Sequence, residues 1–134
     1  MGDGSEHPDD ALAIVGLALR LPGGIVTLDE FWSVLLEGRS LISEVPPDRF
    51  DVARFYDPNV GRPGKSYTFA GGYIGDVAGF DADYFGISPR EAALMDPQHR
   101  LLLEMTSEAF DDAGIDPGSV AGSDTTVVRF RSGR

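Results

Sequence analysis

The sequence contains no cysteine among its 134 residues. This absence excludes a disulfide framework, a thiolate metal site and a cysteine nucleophile within the chain. Histidine is almost as scarce, since only His7 and His99 are present, and a histidine-based metal site is therefore not expected. We predict that the chain binds no metal and no cofactor.

Long hydrophobic runs and clustered positive charge are also missing. No run of about eighteen apolar residues exists, so no transmembrane helix is expected. The opening MGDGSEHPDD is acidic and lacks the apolar segment of a secretory signal. Eleven basic against 22 acidic residues give a net charge of −11, which argues against binding to nucleic acid or to an anionic membrane. A soluble, cytoplasmic protein is the expectation.

Length and composition are typical of one globular domain, with 42% hydrophobic residues. The apolar run at residues 11–19 predicts a strand buried on both faces, followed by a turn at residues 22–24. Residues 73–77 and 125–128 predict further short strands. Residues 41–72 predict mostly loop, and a loop of this length suggests packing against something outside the sequence.

Helix signals are the clearest local feature of the chain. Two capping boxes and one further N-cap predict helices that begin near residues 28, 89 and 97. The last helix is predicted to run over residues 97–113, with an ion pair between Arg100 and Glu104 and a stop at Gly114. The residues predicted to cap these helices are Thr27, Glu30, Ser88, Glu91 and Asp96.

Few residues are candidates for binding or catalysis, and each has a simpler structural explanation. The stretch GLALRLPGG lacks the glycine spacing of a phosphate-binding loop, and a tight turn explains it better. His99 lies in the first turn of a helix, where packing or a polar contact is favoured over catalysis. Asp111 and Asp112 are interpreted as solvated surface. These residues alone indicate an α/β protein without a catalytic constellation.

Longer motifs add a family resemblance. The stretches AIVGLALRLPGG, FWSVLLEGRSLISEVPPDRFD and YFGISPREAALMDPQHR resemble the start of the β-ketoacyl synthase (ketosynthase) domain of modular type I polyketide synthases. The resemblance runs from about Ala13 to Thr125, with Tyr84 and His99 where the family has phenylalanine and glutamine. It implies the thiolase-like fold, of which this chain would be only the first part of the N-terminal half.

The resemblance also implies a reaction and its partners. A complete ketosynthase is a homodimer that condenses an acyl thioester with malonyl- or methylmalonyl-acyl carrier protein, with loss of CO₂, using a cysteine and two histidines. None of these three residues has a counterpart here. We therefore expect a truncated ketosynthase region at 11–128, inactive alone, between a disordered leader at 1–10 and an arginine-rich tail at 129–134. The loss of resemblance at that tail suggests a shifted or truncated reading frame.

By the same resemblance, Met95, Gln98 and His99 are candidates for the acyl pocket or the dimer interface. The expected partner is the remainder of a ketosynthase or polyketide synthase, with an acyl carrier protein engaged only by the complete domain. An alternative is a non-catalytic module that binds a polyketide synthase partner or completes a split ketosynthase. Uncovered apolar surface would favour the fragment over the module.

Overall fold

The computed structural model describes residues 11–128, and the leader and tail predicted from the sequence lie outside them. Two very short strands alternate with the first two helices, and two further helices and a 3-10 helix follow. Strand β1 pairs antiparallel with β2, so that Ser43 lies opposite Gly71. The mixture of helix and strand agrees with the predicted α/β class. The elements are α1 (Leu28–Glu37), β1 (Ser43–Glu44), α2 (Val52–Phe55), β2 (Ala70–Gly71), α3 (Pro89–Leu94), α4 (Pro97–Ala113) and a 3-10 helix (Pro117–Val120).

Helix α1 begins at the capping box that the sequence predicts. The Thr27 hydroxyl accepts a hydrogen bond from the Glu30 amide at 3.3 Å, and the Glu30 carboxylate accepts from the Thr27 amide at 3.1 Å. A further bond from the Val26 amide contributes most to holding the pKa of the Glu30 carboxyl below its usual range. Gly38 ends the helix with φ of 60°, a conformation that glycine adopts without strain.

Helices α3 and α4 also begin at their predicted caps. The Asp96 carboxylate accepts from the Gln98 amide at 2.8 Å, and α4 has the predicted bounds Pro97–Ala113 before Gly114 ends it. The cap of α3 is simpler than predicted. The Ser88 hydroxyl accepts from the Glu91 amide at 3.3 Å, but the reciprocal bond from the Glu91 side chain is not formed.

A small hydrophobic core, here called the apolar cluster, joins α1 to the chain before and after it. Leu19, Ile25 and Val34 are 9%, 4% and 5% exposed, and Leu21, Phe31 and Leu41 pack against them. The predicted turn at residues 22–24 is confirmed, since the Leu21 amide donates to the Ile25 carbonyl at 3.0 Å. This turn brings both sides of the cluster together.

The predicted strand at residues 11–19 is wrong for the described chain. No strand is formed there, and Leu12, Ile14 and Val15 are 100%, 86% and 66% exposed. A strand buried on both faces needs neighbouring strands to satisfy its backbone groups. The described chain offers none, because its only sheet is the two-residue pair β1–β2.

The other two predicted strands are also wrong. Within residues 73–77 the Asp76 carboxylate accepts from the Ala78 and Gly79 amides, both at 2.9 Å, and this bends the chain into a turn. Residues 125–128 form no strand, and Val127 is 88% exposed. Residues 41–72 are mostly loop as predicted, apart from β1, α2 and β2.

Candidate functional site

Residues 13–20, called here the N-terminal segment, lie against helix α4. They come close together at Gly16, where an added Cβ would lie 2.1 Å from the Ala109 carbonyl oxygen and 2.8 Å from the Ala113 Cβ. No side chain fits in that space. Glycine therefore permits direct contact between the backbone of the segment and the helix.

Two carboxylates one turn apart on α4 hold the same segment. Asp112 accepts from the Leu17 amide at 2.9 Å. Glu108 accepts two bonds from the Arg20 guanidinium, one of them at 2.8 Å, and this pairing raises the pKa of Arg20. Asp112 is exposed, as the interpretation of a solvated surface residue predicts, but it also accepts the bond from the distant Leu17 amide, which was not predicted. Glu108 and Asp112 are four positions apart, which places them on the same face of α4. This spacing is the signal in the sequence from which a shared role could have been predicted.

Beside these contacts runs an apolar groove of about 440 Å³, called here the open groove. The N-terminal segment forms one wall, and the α4 side chains Leu102, Met105 and Phe110 contribute to the other. Val15 on the first wall is 66% exposed and Leu102 on the second is 39% exposed. Both walls therefore leave apolar surface uncovered.

A second uncovered apolar surface lies on α1. Val34 faces the apolar cluster, whereas Trp32, Leu35 and Leu36 are 62%, 54% and 71% exposed. We call these three residues the outer face of α1. An exposed tryptophan flanked by leucines on one helix is typical of a surface that another polypeptide covers.

The three candidate pocket residues lie together where α3 meets α4. Met95 is half-buried, and Gln98 and His99 are exposed on the first turn of α4. None of the three lines the open groove. Among residues 11–128, no three or more His, Asp or Glu side chains lie close enough to hold a metal ion. The roles of Met95, Gln98 and His99 therefore stay predictions.

The predicted ion pair of Arg100, the residue after His99, is not formed. Arg100 does not pair with Glu104. Its guanidinium donates instead to the carbonyls of Val77 and Ala78, each at 3.3 Å. No sequence pattern indicates this contact, because the acceptors are backbone atoms more than twenty positions away.

Asp57 closes a separate loop at residues 57–66. The residue is 7% exposed, and its carboxylate accepts from the Asn59 amide at 2.9 Å and from the Arg62 guanidinium at 2.6 Å. These bonds, led by that from Asn59, hold the pKa of the Asp57 carboxyl below its usual range. At the loop's neck the Asp57 amide donates to the Ser66 carbonyl at 3.0 Å.

None of the helices within residues 11–128 is both long and apolar enough to cross a membrane.

Comparison with known proteins identifies the class to which this arrangement belongs. The family model for "Beta-ketoacyl synthase, N-terminal domain" matches residues 9–129. The chain belongs to this family. The resemblance inferred from its motifs is thereby confirmed.

Particular relatives are modular polyketide synthases. The chain is 48% identical over 127 residues to polyketide synthase GfsB of Streptomyces halstedii, covering 94% of this chain and 2% of that protein. It is 51% identical over 123 residues to erythronolide synthase EryA2 of Saccharopolyspora erythraea, covering 91% of this chain and 3% of that protein. The chain thus spans only a few per cent of the length of either relative.

A solved ketosynthase has the same fold. The oxazolomycin ketosynthase domain OzmH KS7 of Streptomyces albus JA3453 superposes with a TM-score of 0.75 at 43% identity, covering 81% of this chain and 19% of that one. The predicted thiolase-like fold is confirmed. The chain corresponds to about a fifth of the solved ketosynthase.

Proposed function

We propose that this chain forms the N-terminal part of a polyketide synthase ketosynthase. The complete domain condenses an acyl thioester with malonyl- or methylmalonyl-acyl carrier protein, with loss of CO₂. The observation that carries the proposal is the family match over residues 9–129. The uncovered apolar surfaces support it, because they are what a part of a larger domain exposes.

Taken alone, the chain is catalytically incompetent under this proposal. The reaction needs a thiolate to hold the acyl group and imidazoles to stabilise the oxyanion. The sequence has no cysteine, and His99 is its one histidine beyond the acidic opening. The residues that perform the chemistry are therefore contributed by the remainder of the ketosynthase.

The remainder of the ketosynthase is accordingly the proposed partner. It covers the open groove, where Val15 and Leu102 are exposed, and the outer face of α1. Covering one such aliphatic side chain fully is worth about 1.5–3 kcal/mol, so several of them supply a substantial driving force. A self-sufficient interaction module is less favoured, because a module that folds alone leaves smaller apolar patches.

Reconstitution tests the proposed partnership. The chain and the remainder of a ketosynthase from one of its relatives are produced separately and mixed, and condensation of an acyl thioester with malonyl-acyl carrier protein is measured. We expect activity from the mixture and none from the chain alone. Condensation by the chain alone would contradict the proposal.

Matched variants test whether the open groove contacts the remainder of the ketosynthase. Leu102→Asp introduces a charge into the open groove, and we expect it to lower activity of the mixture at least tenfold, since a buried unpaired charge is costly. Val60→Asp makes the same kind of change at a loop side chain that is 77% exposed. It serves as the control and should leave the activity within twofold.

Met95, Gln98 and His99 are proposed to line the acyl pocket or the dimer interface of the complete domain. Their support is that they lie together at the junction of α3 and α4. His99→Gln restores the residue of the family motif and should change the preference among acyl thioesters in the reconstituted enzyme. His7→Gln, the same change outside the matched region, is the control.

Low stability of the isolated chain is a further expectation. With much apolar surface uncovered, the free energy of unfolding should be at most a few kcal/mol, below the usual range of about 5–15 kcal/mol. Urea unfolding followed by circular dichroism measures it. A cooperative transition extrapolating to more than about 8 kcal/mol would favour the self-sufficient module.

A further inference from the structure

A tight turn at residues 75–79 connects the region of β2 with the aromatic residues before α3. Asp76 closes it by accepting hydrogen bonds from the amides of Ala78 and Gly79, both at 2.9 Å. Gly79 is fitted closely, since an added Cβ would lie 2.6 Å from the Asp76 carboxylate. We call these five residues the 75–79 turn.

Two arginines from distant parts of the chain hold the 75–79 turn from outside. Arg49, which follows β1, donates to the Gly75 carbonyl. Arg100, on the first turns of α4, donates to the carbonyls of Val77 and Ala78 at 3.3 Å each. Three of the turn's five carbonyls are thus bound by guanidinium groups.

The charges agree with this geometry. The pKa of Asp76 is lowered first by the amides of Gly79 and Ala78 and further by the positive charges of Arg49 and Arg100. The carboxylate therefore lies in the field of both arginines while it closes the turn. Opening the turn would separate the carboxylate from its amides and from these charges together.

We propose that Arg100 is a positioning residue that fixes the 75–79 turn to the first turns of α4, with Arg49 as its second support. We infer further, on the basis of the proposed function, that Arg100 has the same role in the complete ketosynthase. Gln98 and His99 immediately precede Arg100, so the same contact sets where these two side chains stand. Arg100 itself touches no reacting group in this assignment.

The shape of the guanidinium explains why arginine occupies this position. Its planar fork reaches two successive carbonyls at once, which the single ammonium group of lysine cannot reproduce. The Nε atom of Arg100 is buried and makes no hydrogen bond within residues 11–128. Burying that donor without a partner costs free energy. The hydrogen bonds of the two terminal nitrogens offset this cost and hold the guanidinium group in place.

The test uses three variants of the full chain and amide hydrogen exchange. In Arg100→Gln, exchange at the Ala78 and Gly79 amides should accelerate about fivefold or more, as expected when a hydrogen bond of ordinary net strength is lost. Amides of α1 should stay within twofold. Arg100→Lys should recover only part of the protection, and Arg90→Gln, at an exposed arginine of α3, should behave like the unchanged chain.

A second measurement separates positioning from general destabilisation. Titration of the Asp76 carboxyl by NMR should show its pKa rising in Arg100→Gln and in Arg49→Gln, and staying unchanged in Arg90→Gln. If Arg100→Gln unfolds the chain, Arg100→Lys and Arg49→Gln carry the same test. In a variant that stays folded, unchanged exchange at the turn, or acceleration spread evenly over α1 and the turn, would overturn the proposal. These readouts are independent of condensation, so they fail or succeed separately from the proposed function.

Discussion

The apolar cluster and the open groove use neighbouring residues of the N-terminal segment but differ in how completely they are buried. In the cluster, Ile25 and Val34 are 4% and 5% exposed. In the groove, Val15 and Leu102 are 66% and 39% exposed. All members of the cluster come from residues 19–41, within reach of one turn and one helix. The groove joins parts of the chain about ninety positions apart and still lacks a cover.

The two regions are also held by different forces. Burial of apolar side chains stabilises the cluster, whereas the groove is fixed by a glycine contact and by the bonds that Glu108 and Asp112 accept. Partly exposed polar contacts of this kind contribute little, commonly about 0–1 kcal/mol each. The groove walls are therefore positioned but weakly stabilised. Variants in the two regions should differ accordingly.

The largest effect is expected in the cluster. Ile25→Ala removes a buried side chain, and such changes typically cost about 2–5 kcal/mol, enough to unfold most of a chain of low stability. Leu36→Ala removes a similar side chain that is 71% exposed and should cost less than about 0.5 kcal/mol. Urea unfolding compares the two. Equal losses would show that the cluster is not the stabilising core.

The glycine contact at the groove should rank second. Gly16→Ala places a Cβ against the Ala109 carbonyl, and because backbone must move, we expect a loss of about 1–3 kcal/mol. Gly75→Ala is the matched control, since no atom lies within 4 Å of its added Cβ. Thermal unfolding measures both. A harmless Gly16→Ala would mean that the N-terminal segment does not rest on α4.

The ion pair at the groove should rank third. Glu108→Gln removes the pairing with Arg20, and because the Glu108 side chain is 44% exposed, we expect a loss of only about 0.5–1 kcal/mol. The exposed Asp111→Asn is its control. The difference between them should shrink in about 1 M salt, where charges are screened within about 3 Å. A loss that salt leaves unchanged would point to packing rather than charge.

The smallest global effect is expected at the 57–66 loop, whose contacts are local like those of the cluster but polar like those of the groove. Its Asp57 has a lowered pKa, so the carboxylate stabilises the folded loop above the ordinary pKa of about 3.9 and loses this contribution as pH falls through the lower folded value. NMR of the Asn59 side-chain amide during acid titration should report the change. Asp57→Asn should abolish it, and Asp48→Asn, at an exposed position, should not.

Helix boundaries were predictable because caps are local. Thr27 and Asp96 bond to amides two or three residues away, and Gly38 and Gly114 end their helices by a backbone conformation that other residues rarely adopt. The family was also predictable, since its motifs are contiguous in the sequence. The position of the candidate residue His99 on the first turn of α4 followed from the same cap.

The remaining features depended on partners far away in the chain. The N-terminal segment has the composition of a buried strand, yet residues 11–128 supply no neighbouring strand, and its backbone instead contacts α4 at Gly16. Arg100 was expected to pair with Glu104 by helical spacing. It binds backbone carbonyls of the 75–79 turn, and no composition rule identifies such acceptors.

The sequence by itself determined where helices begin and end and which family the chain belongs to, because those depend on interactions a few residues long or on contiguous motifs. Only the tertiary structure decided that Asp112 and Arg100 hold distant segments, and that the apolar side chains of the open groove remain uncovered. Such outcomes depend on which long-range contacts can form together, and loop closure and burial set that balance across the whole chain.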